Sequence, residues 1–495
     1  MTVTNTGASS THEEAWHAIK WCFVESHVKR LQMRIAKATQ EKRYGKVRAL
    51  QWLLTHSYAA KLLAVRRVTS NKGAKTPGVD GIIWNTAKRK SEAVKELQRR
   101  GYRAQPLRRV YIPKKKGQRR ALGIPTLRDR AMQALHLLAL EPVAEITADP
   151  NSYGFRTERS TQDAIEYCFM TLSRRNCAEW ILEADIQSCF DHISHEWLQT
   201  HVVTDRRVLQ QWLKAGYLEK QQFFFTEEGT PQGGIISPTL ANIVLDGLER
   251  TVKAASIKKE KVNITRYADD FIVTGASPEV LERLKGVIEL FLVERGLKLS
   301  AKKTKITSVY QGFDFLGFNV KKHKNFALLI KPAKASIKKI RATVREVTRR
   351  SVGIPTVGLI RQLNPKLQGW ANYYRYVIAS RAFAAIDHEV FTAVWRWARH
   401  RHPKKNATWI RAHYFRQRRH RQWIFFANAI DKQRQKRPLD IVIVNSISIK
   451  RHVKVRAKAT PYDAAYKQYF EQRRQRNKPC SSGYWINCSA PIYFQ

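Results

Sequence analysis

The spacing of apolar and polar positions divides the chain into three textures. From about Thr11 to Val68 apolar residues recur at helical intervals, with Leu31 and Ile35, then Leu50, Leu53 and Leu54, on the apolar side. Thr11-His12-Glu13-Glu14 has capping-box spacing, and residues 1–10 are small and polar. Thr76-Pro77-Gly78-Val79-Asp80-Gly81 is turn chemistry that ends this region. Helices and strands then alternate. The pattern predicts a helix over 86–100, a strand over Leu107–Pro113, a second strand over Ala121–Ile124 and a helix from Arg128 through Leu140. Trp180–Ile186 is a buried strand ending on a carboxylate, Leu198–Tyr217 a helix, and Ser237-Pro238 a helix start with Pro well placed. A helix over 278–295 follows, then strand character over Leu297–Ile306 and Phe313–Val320. After residue 330 the texture is helical: Ile337, Ile340, Val344 and Val347 share one face, and Leu359, Ile360, Leu363, Leu367 and Tyr374 share another. From Arg411 onward the segment is basic, with β character at Ile441–Ile449.

The middle texture is organised around Ile264–Val273, two short β-prone arms with Asp269 and Asp270 at the bend between them. Ala-Asp-Asp is also ordinary turn chemistry. Two adjacent carboxylates repel each other unless a cation lies beside them, however, so a hairpin presenting both is a candidate Mg²⁺ site. Asp185, at the end of its own strand, adds a third carboxylate where α/β sites collect their chemistry. Lys114-Lys115-Lys116-Gly117-Gln118-Arg119-Arg120 joins two strands and carries enough cations to grip a triphosphate. Gly229-Thr230-Pro231-Gln232-Gly233-Gly234 is a glycine-rich loop ahead of a helix. Neither a Gly-x-Gly-x-x-Gly after a strand nor a Gly-Lys-Ser/Thr loop occurs, which excludes Rossmann and P-loop chemistry.

Composition narrows the partner. Of 495 residues, 90 are Lys or Arg and 40 Asp or Glu, a formal charge of +50, far beyond what solubility requires; this points to a polyanion. Between Arg401 and Thr460 there are 17 Lys/Arg and 2 Asp/Glu. An apolar content of 43% with 13 Trp marks most of the chain as folded. The polar faces of the first helices carry Arg30, Arg34, Lys37 and Arg43. Trp370, Tyr373, Tyr374, Trp395 and Trp397 interleave with Arg375, Arg396, Arg399 and Arg401, a mixture of core aromatics and groups able to stack on bases and hold phosphates. Lys404, Lys405, Arg418 and Arg419 extend that basic surface. The six Cys show no paired spacing, no apolar run reaches the ~18–20 residues of a membrane span, and no signal pattern opens the chain. The expectation is a cytoplasmic, nucleoid-associated nucleic-acid protein with no membrane partner.

The ordered motifs Tyr267-Ala268-Asp269-Asp270, Asp185 with Phe190 five residues on, and Thr230-Pro231-Gln232-Gly233-Gly234 with Ser237-Pro238 resemble those of reverse transcriptases. Thr76–Gly81, Arg120–Arg130, Ser152-Tyr153-Gly154-Phe155-Arg156 and Phe313–Phe318 resemble bacterial group II intron-encoded proteins in particular. Asn364–Tyr374 is similar to that family's maturase segment. The resemblance runs over roughly residues 20–460. It implies an α+β, right-hand polymerase: a basic helical extension over 1–70, fingers and palm over 71–325, a helical thumb/maturase domain over 326–410 and a basic DNA-binding region over 411–495. It further implies that Asp185, Asp269 and Asp270, with the Ile186 backbone, hold Mg²⁺ ions. Lys114, Arg120, Ile186, Phe190, Gln232 and Lys303 would line the dNTP site, with Phe190 facing the ribose 2′ position. Phe313, Phe315, Leu316 and Gly317 would form the primer grip.

Two departures accompany it. Ala121 stands where the family usually has Pro, and Cys480 and Cys488 are isolated where many relatives have paired endonuclease ligands, so that domain is expected to be missing or truncated. The resemblance implies RNA-directed DNA synthesis, help with splicing of the intron RNA, and target-primed insertion into DNA. The alternatives are a maturase acting mainly as an RNA-binding factor and a reverse transcriptase of a defence or diversification system.

Overall fold

The computed structural model describes residues 16–113, 119–418, 421–430 and 434–477. The described residues form two compact units: those within 16–171, 176–307 and 455–471 make the first, and those within 172–175, 308–454 and 472–477 the second.

In the first unit, helices Trp21–Gln40, Tyr44–His56 and Tyr58–Thr69 pack on the long helix Leu127–Thr147. Leu31, Ile35, Leu50 and Leu54 are buried as their spacing predicts, whereas Leu53 is exposed. Gln32 and Gln51 donate to the carbonyls of Leu138 and Val203, each at 2.8 Å, pinning these helices to the centre. Helix Leu127–Thr147 is buried on nearly every side, its buried positions including Asp129, Arg130, Gln133, His136 and Glu145 beside the apolar ones.

Two four-stranded sheets carry the chemistry. The first has the order β2-β1-β4-β5, with β1 Leu107–Pro113, β2 Arg119–Ile124, β4 Tyr217–Glu219 and β5 Gln222–Phe224. The second has the order β6-β7-β3-β8, with β3 Trp180–Asp185, β6 Asn263–Tyr267, β7 Asp270–Gly275 and β8 Lys305–Ser308.

Three expectations change here. The helix predicted over Leu198–Tyr217 is two helices, His195–His201 and Arg206–Leu213, because the Asp205 carboxylate accepts from the Arg207 and Val208 amides and starts a new helix. Tyr217 opens a strand instead. The strand expected over Leu297–Ile306 shrinks to a Leu299–Ile186 bridge and β8, since the Ser300–Thr304 turn interrupts it.

The second unit begins with β9 Phe313–Phe315, β10 Phe318–Lys322 and β11 Leu328–Pro332, in the order β11-β10-β9. Helices Lys334–Arg350, Thr356–Tyr374, Ser380–Arg401 and Ala407–Tyr414 follow. Leu316 and Gly317, both with positive φ, make the two-residue turn between β9 and β10. Tyr373 and Tyr374 donate to their carbonyls at 2.9 and 3.0 Å. Phe313 and Phe315 are buried, whereas Leu316 is half-buried and Gly317 exposed. The basic segment forms β12 Phe415–Arg418, β13 Arg421–Ile430 and β14 Lys436–Asp440. The β character expected at Ile441–Ile449 is absent; a 3₁₀ turn at Val444–Ser446 takes its place.

Among the described residues no helix is long and apolar enough to cross a membrane. Arg419, Cys480, Cys488 and the Thr11 capping box lie outside the described residues.

Candidate active site

Strand β3 runs antiparallel to β7 with Asp185 directly opposite Asp270, and β7 pairs with β6 so that Tyr267 faces the same Asp270. Two carboxylates separated by 85 positions in sequence thus become cross-strand neighbours, with Asp269 in the turn beside them. Ala268, in that turn, adopts φ 59° and is buried. Its backbone rests on the Ser152–Phe155 segment. Tyr153 N donates to Arg266 O at 2.9 Å, and Arg266 N donates to Asn151 O at 3.0 Å. Gly154 lies so close that a Cβ would overlap the Ala268 nitrogen. Arg266, buried behind the turn, ion-pairs with Asp246.

The electrostatics fit a cation. Burial pushes the Asp270 carboxyl up to about 7, and the neighbouring Asp185 and Asp269 charges push the same way. Asp269 is raised by burial and then by Asp185, with Lys303 and Arg120 opposing. Asp185 is turned onto Lys303, whose ammonium lies 2.7 Å from Oδ2. Among the described residues no three His, Cys, Asp or Glu side chains already close around one point. Three clustered carboxylates, one balanced by a lysine and one driven towards its protonated form, are a donor set that divalent cations suit. Cys189, on the short helix beside them, is pushed up to about 12 by burial and stays an inert thiol.

The sign of the Asp270 shift gives a prediction. Its folded pKa lies above the ordinary 3.8, so the folded chain holds a proton that the unfolded chain releases. Stability is therefore lost as pH rises from about 4 to about 7, and the penalty is complete above that. Asp270→Asn should melt higher than the metal-free parent at pH 8, a gap that closes towards pH 4. Added Mg²⁺ should raise the parent's Tm and not the variant's. Identical melting curves at pH 8 would mean that burial and the neighbouring charges do not raise the Asp270 carboxyl as described.

The nucleotide-site candidates separate into those brought together and those not. Arg120 Nε donates to Gln232 Oε1 at 2.7 Å, and Gln232 Nε2 donates to Asp191 Oδ1 at 3.0 Å. Gly123 N donates to Gln232 O at 2.9 Å, so β2 is tied to the glycine-rich loop twice. That loop also seats on the segment after β3: Thr230 N donates to Phe190 O, and Gly229 (φ 84°) has no room for a side chain over Asp191. The half-buried Phe190 ring meets Phe155 edge to face, with centroids 6.5 Å apart. Ile186 is buried and bridges Leu299. Lys114 lies outside the described residues. Asp191, which fixes the Gln232 amide, was missed in sequence; its only signal is adjacency to Phe190.

Of the basic candidates, Arg30, Arg34 and Lys37 stand on one exposed helix face, and Arg43 beside them pairs with Glu41. Arg396, Arg399, Lys404, Lys405 and Arg418 are exposed as well, Arg418 with an ion pair to Asp440. Two expectations are corrected. Arg375 is 1% exposed and donates to Ser448 O, and Arg401 donates to the Val352 and Ile354 carbonyls; both hold the second unit together instead of presenting a surface.

Comparison with known families agrees with this geometry. Residues 112–320 match the model for reverse transcriptase (RNA-dependent DNA polymerase), residues 16–97 that for the N-terminal domain of reverse transcriptase, and residues 337–415 the group II intron maturase-specific domain. Protein YkfC of Escherichia coli (strain K12) is 36% identical over 51% of this chain and 78% of its own length. The group II intron-encoded protein LtrA of Lactococcus lactis subsp. cremoris is 31% identical over 52% of this chain and 54% of its own, so this chain spans about half of that relative. A structure of apo telomerase from Candida tropicalis aligns over 61% of this chain and 57% of that one at 14% identity and TM-score 0.39, too distant a likeness to argue from.

Proposed function

The chain belongs to the group II intron reverse transcriptase and maturase family, and from that premise we propose that it copies intron RNA into DNA at the Asp185/Asp269/Asp270 site and assists the splicing of the same RNA. The observation that supports this most is the register of β3 against β7. It sets Asp185 opposite Asp270 and leaves three carboxylates whose mutual repulsion a divalent cation relieves. Asp185, Asp269, Asp270 and the Ile186 carbonyl would hold Mg²⁺. The bound ions would lower the pKa of the primer 3′-hydroxyl and neutralise the triphosphate and leaving pyrophosphate.

The remaining roles fall to the chain's own groups. Phe190 stands over the sugar and disfavours a 2′-hydroxyl. Arg120, held by Gln232, meets the triphosphate through charge-assisted hydrogen bonds. Lys303, within hydrogen-bond reach of Asp185, is placed to give a proton to pyrophosphate. The exposed Arg30–Arg34–Lys37 face and the basic surface of Arg396, Arg399, Lys404 and Lys405 would hold structured RNA by shape and phosphate contacts, and target DNA in the insertion reaction.

The test uses purified protein, a structured group II intron RNA and an annealed DNA primer. Mg²⁺-dependent dNTP incorporation and splicing at low salt are followed in parallel, with an unrelated RNA as control. Both should respond, splicing only for the cognate RNA. Incorporation without any splicing effect would move the reading to a general reverse transcriptase, and splicing help without incorporation to an RNA-binding maturase.

A further inference from the structure

The first sheet ends on an aromatic edge that the catalytic assignments leave unused. Tyr217, Phe223, Phe224 and Phe225 lie on or just after β4 and β5. Residues paired across strands share a face, and alternate residues along a strand share it too. Ile112 pairs with Arg120, Arg108 with Leu218, and Leu218 with Phe223. Arg120, Ile112 and Phe223 therefore share one face, and Phe225 joins it by meeting Phe223 edge to face at 4.9 Å.

The two faces differ in how they are satisfied. On the opposite one, Phe224 stacks on Tyr217 at 5.1 Å, and the Arg109 guanidinium covers Tyr217 at 4.4 Å. On the Arg120 face no such cation covers the phenylalanines among the described contacts. Phe225 is 80% exposed, and Ile112 and Phe223 are also exposed. Phe223 is anchored: it seats over Gly216 (φ 67°), where any Cβ would run into its ring. An outward ring standing on an anchored ring is an expensive arrangement for a solvated edge, and nucleobases are the flat apolar partners that suit it.

Charge and position select the occupant. Lys220 lies exposed in the β4–β5 turn, and Arg120, bonded to Gln232, ties this same face to the nucleotide site. With +50 on the chain, a polyanion is the partner this face attracts. Strand β5 is three spacings from β2, about 14 Å across. The register sets Phe223 in line with Arg108, four residues along β1 from the Ile112–Arg120 pair, so the aromatic edge lies several base lengths from Arg120 on the same face. We propose that Phe225, supported by Phe223, is the stacking bed for the single-stranded RNA template several nucleotides ahead of the position being copied. This rests on the template-copying reading above and assigns its incoming strand a path.

The experiment varies the overhang. A fluorescein-labelled DNA primer is annealed to RNA templates whose 5′ overhang is one or ten nucleotides, and full-length protein is titrated at fixed salt. The parent should prefer the long overhang. Phe225→Ala should lose most of that preference, a roughly five- to hundredfold weakening, while its affinity for the short overhang, its Tm and its KM for dNTP stay unchanged. Phe225→Trp should restore the preference, and Phe225→Leu, apolar but not flat, should not. Unchanged binding of both overhangs, equal loss on both, or full rescue by Leu would overturn the proposal. Binding is read without synthesis. A parent that makes no DNA would therefore sink the polymerase reading, and the overhang series would still decide this one.

Discussion

Asp269→Asn should lower primer extension by at least about a thousandfold, or roughly 4 kcal/mol of transition-state stabilisation. The amide keeps the size and turn-forming chemistry of Asp, so the hairpin folds, but it removes one of the three negative charges that the site concentrates. Asp269 is half-buried, and Asp185 is the charged neighbour that pushes its carboxyl up most. Affinity for intron RNA should stay within about twofold, because binding rests on many phosphate contacts spread over separate elements. The Arg30–Arg34–Lys37 face proposed for such contacts is well apart in sequence from the hairpin. Single-turnover extension at saturating Mg²⁺ measures the first quantity, and titration of labelled intron RNA at two salt concentrations the second. Near-normal extension by the variant would remove Asp269 from the catalytic set. Parallel loss of RNA binding would show a folding defect in place of a chemical one.

What sequence made legible was whatever local chemistry determines. The β6–β7 hairpin follows from two apolar arms around a polar tip, and its strands, Asn263–Tyr267 and Asp270–Gly275, differ from the expected arms by only a residue or two. Strand β3 and the helix at Ser237 were legible for the same reason: a continuous apolar run, and a proline at a helix start. Short breaks were not. Asp205 divides a helix that apolar spacing alone would carry through, although an Asp ahead of a helical run is a cap signal in its own right. Arg375 and Arg401 failed for a different reason. Periodicity places an arginine on a helix without telling whether a carbonyl from another segment waits for it, and Ser448, Val352 and Ile354 supply those carbonyls. Nor does the basic tail stay one region. Val455 N donates to Asp163, Arg159 donates to Ala457 O, and the Tyr462 hydroxyl donates to Glu141, returning 455–471 to the first unit. Such pairings across some 300 positions leave no local trace.

Gly154→Ala is the sharpest probe of a relation that sequence held without revealing. Ser152–Arg156 stood out only as a mark of resemblance, and the fold makes it the bed of the turn that carries Asp269. Gly154 has an ordinary backbone conformation, so its need for glycine comes from space alone. The added methyl would overlap the Ala268 nitrogen and stand 2.9 Å from the Tyr267 carbonyl carbon, both backbone atoms that no rotamer change can move. Retreat is restrained, because Asn242 donates to Gly154 O at 2.8 Å and Tyr153 N ties the segment to Arg266 O of the hairpin itself. The hairpin has to shift, and displacing reacting groups by about 1 Å costs on the order of a hundredfold in rate. Overpacking at such a point costs about 1–3 kcal/mol of stability. Gly154→Ala should therefore lose about a hundredfold in primer extension with a measurable drop in Tm and RNA affinity retained. Gly286→Ala serves as control: it lies in helix Pro278–Val293 with nothing within 4 Å of the new methyl, and it should match or slightly exceed the parent in stability with full activity. If Gly154→Ala extended primers as the parent does, the 152–156 segment would not be what fixes Asp269 and Asp270 in place.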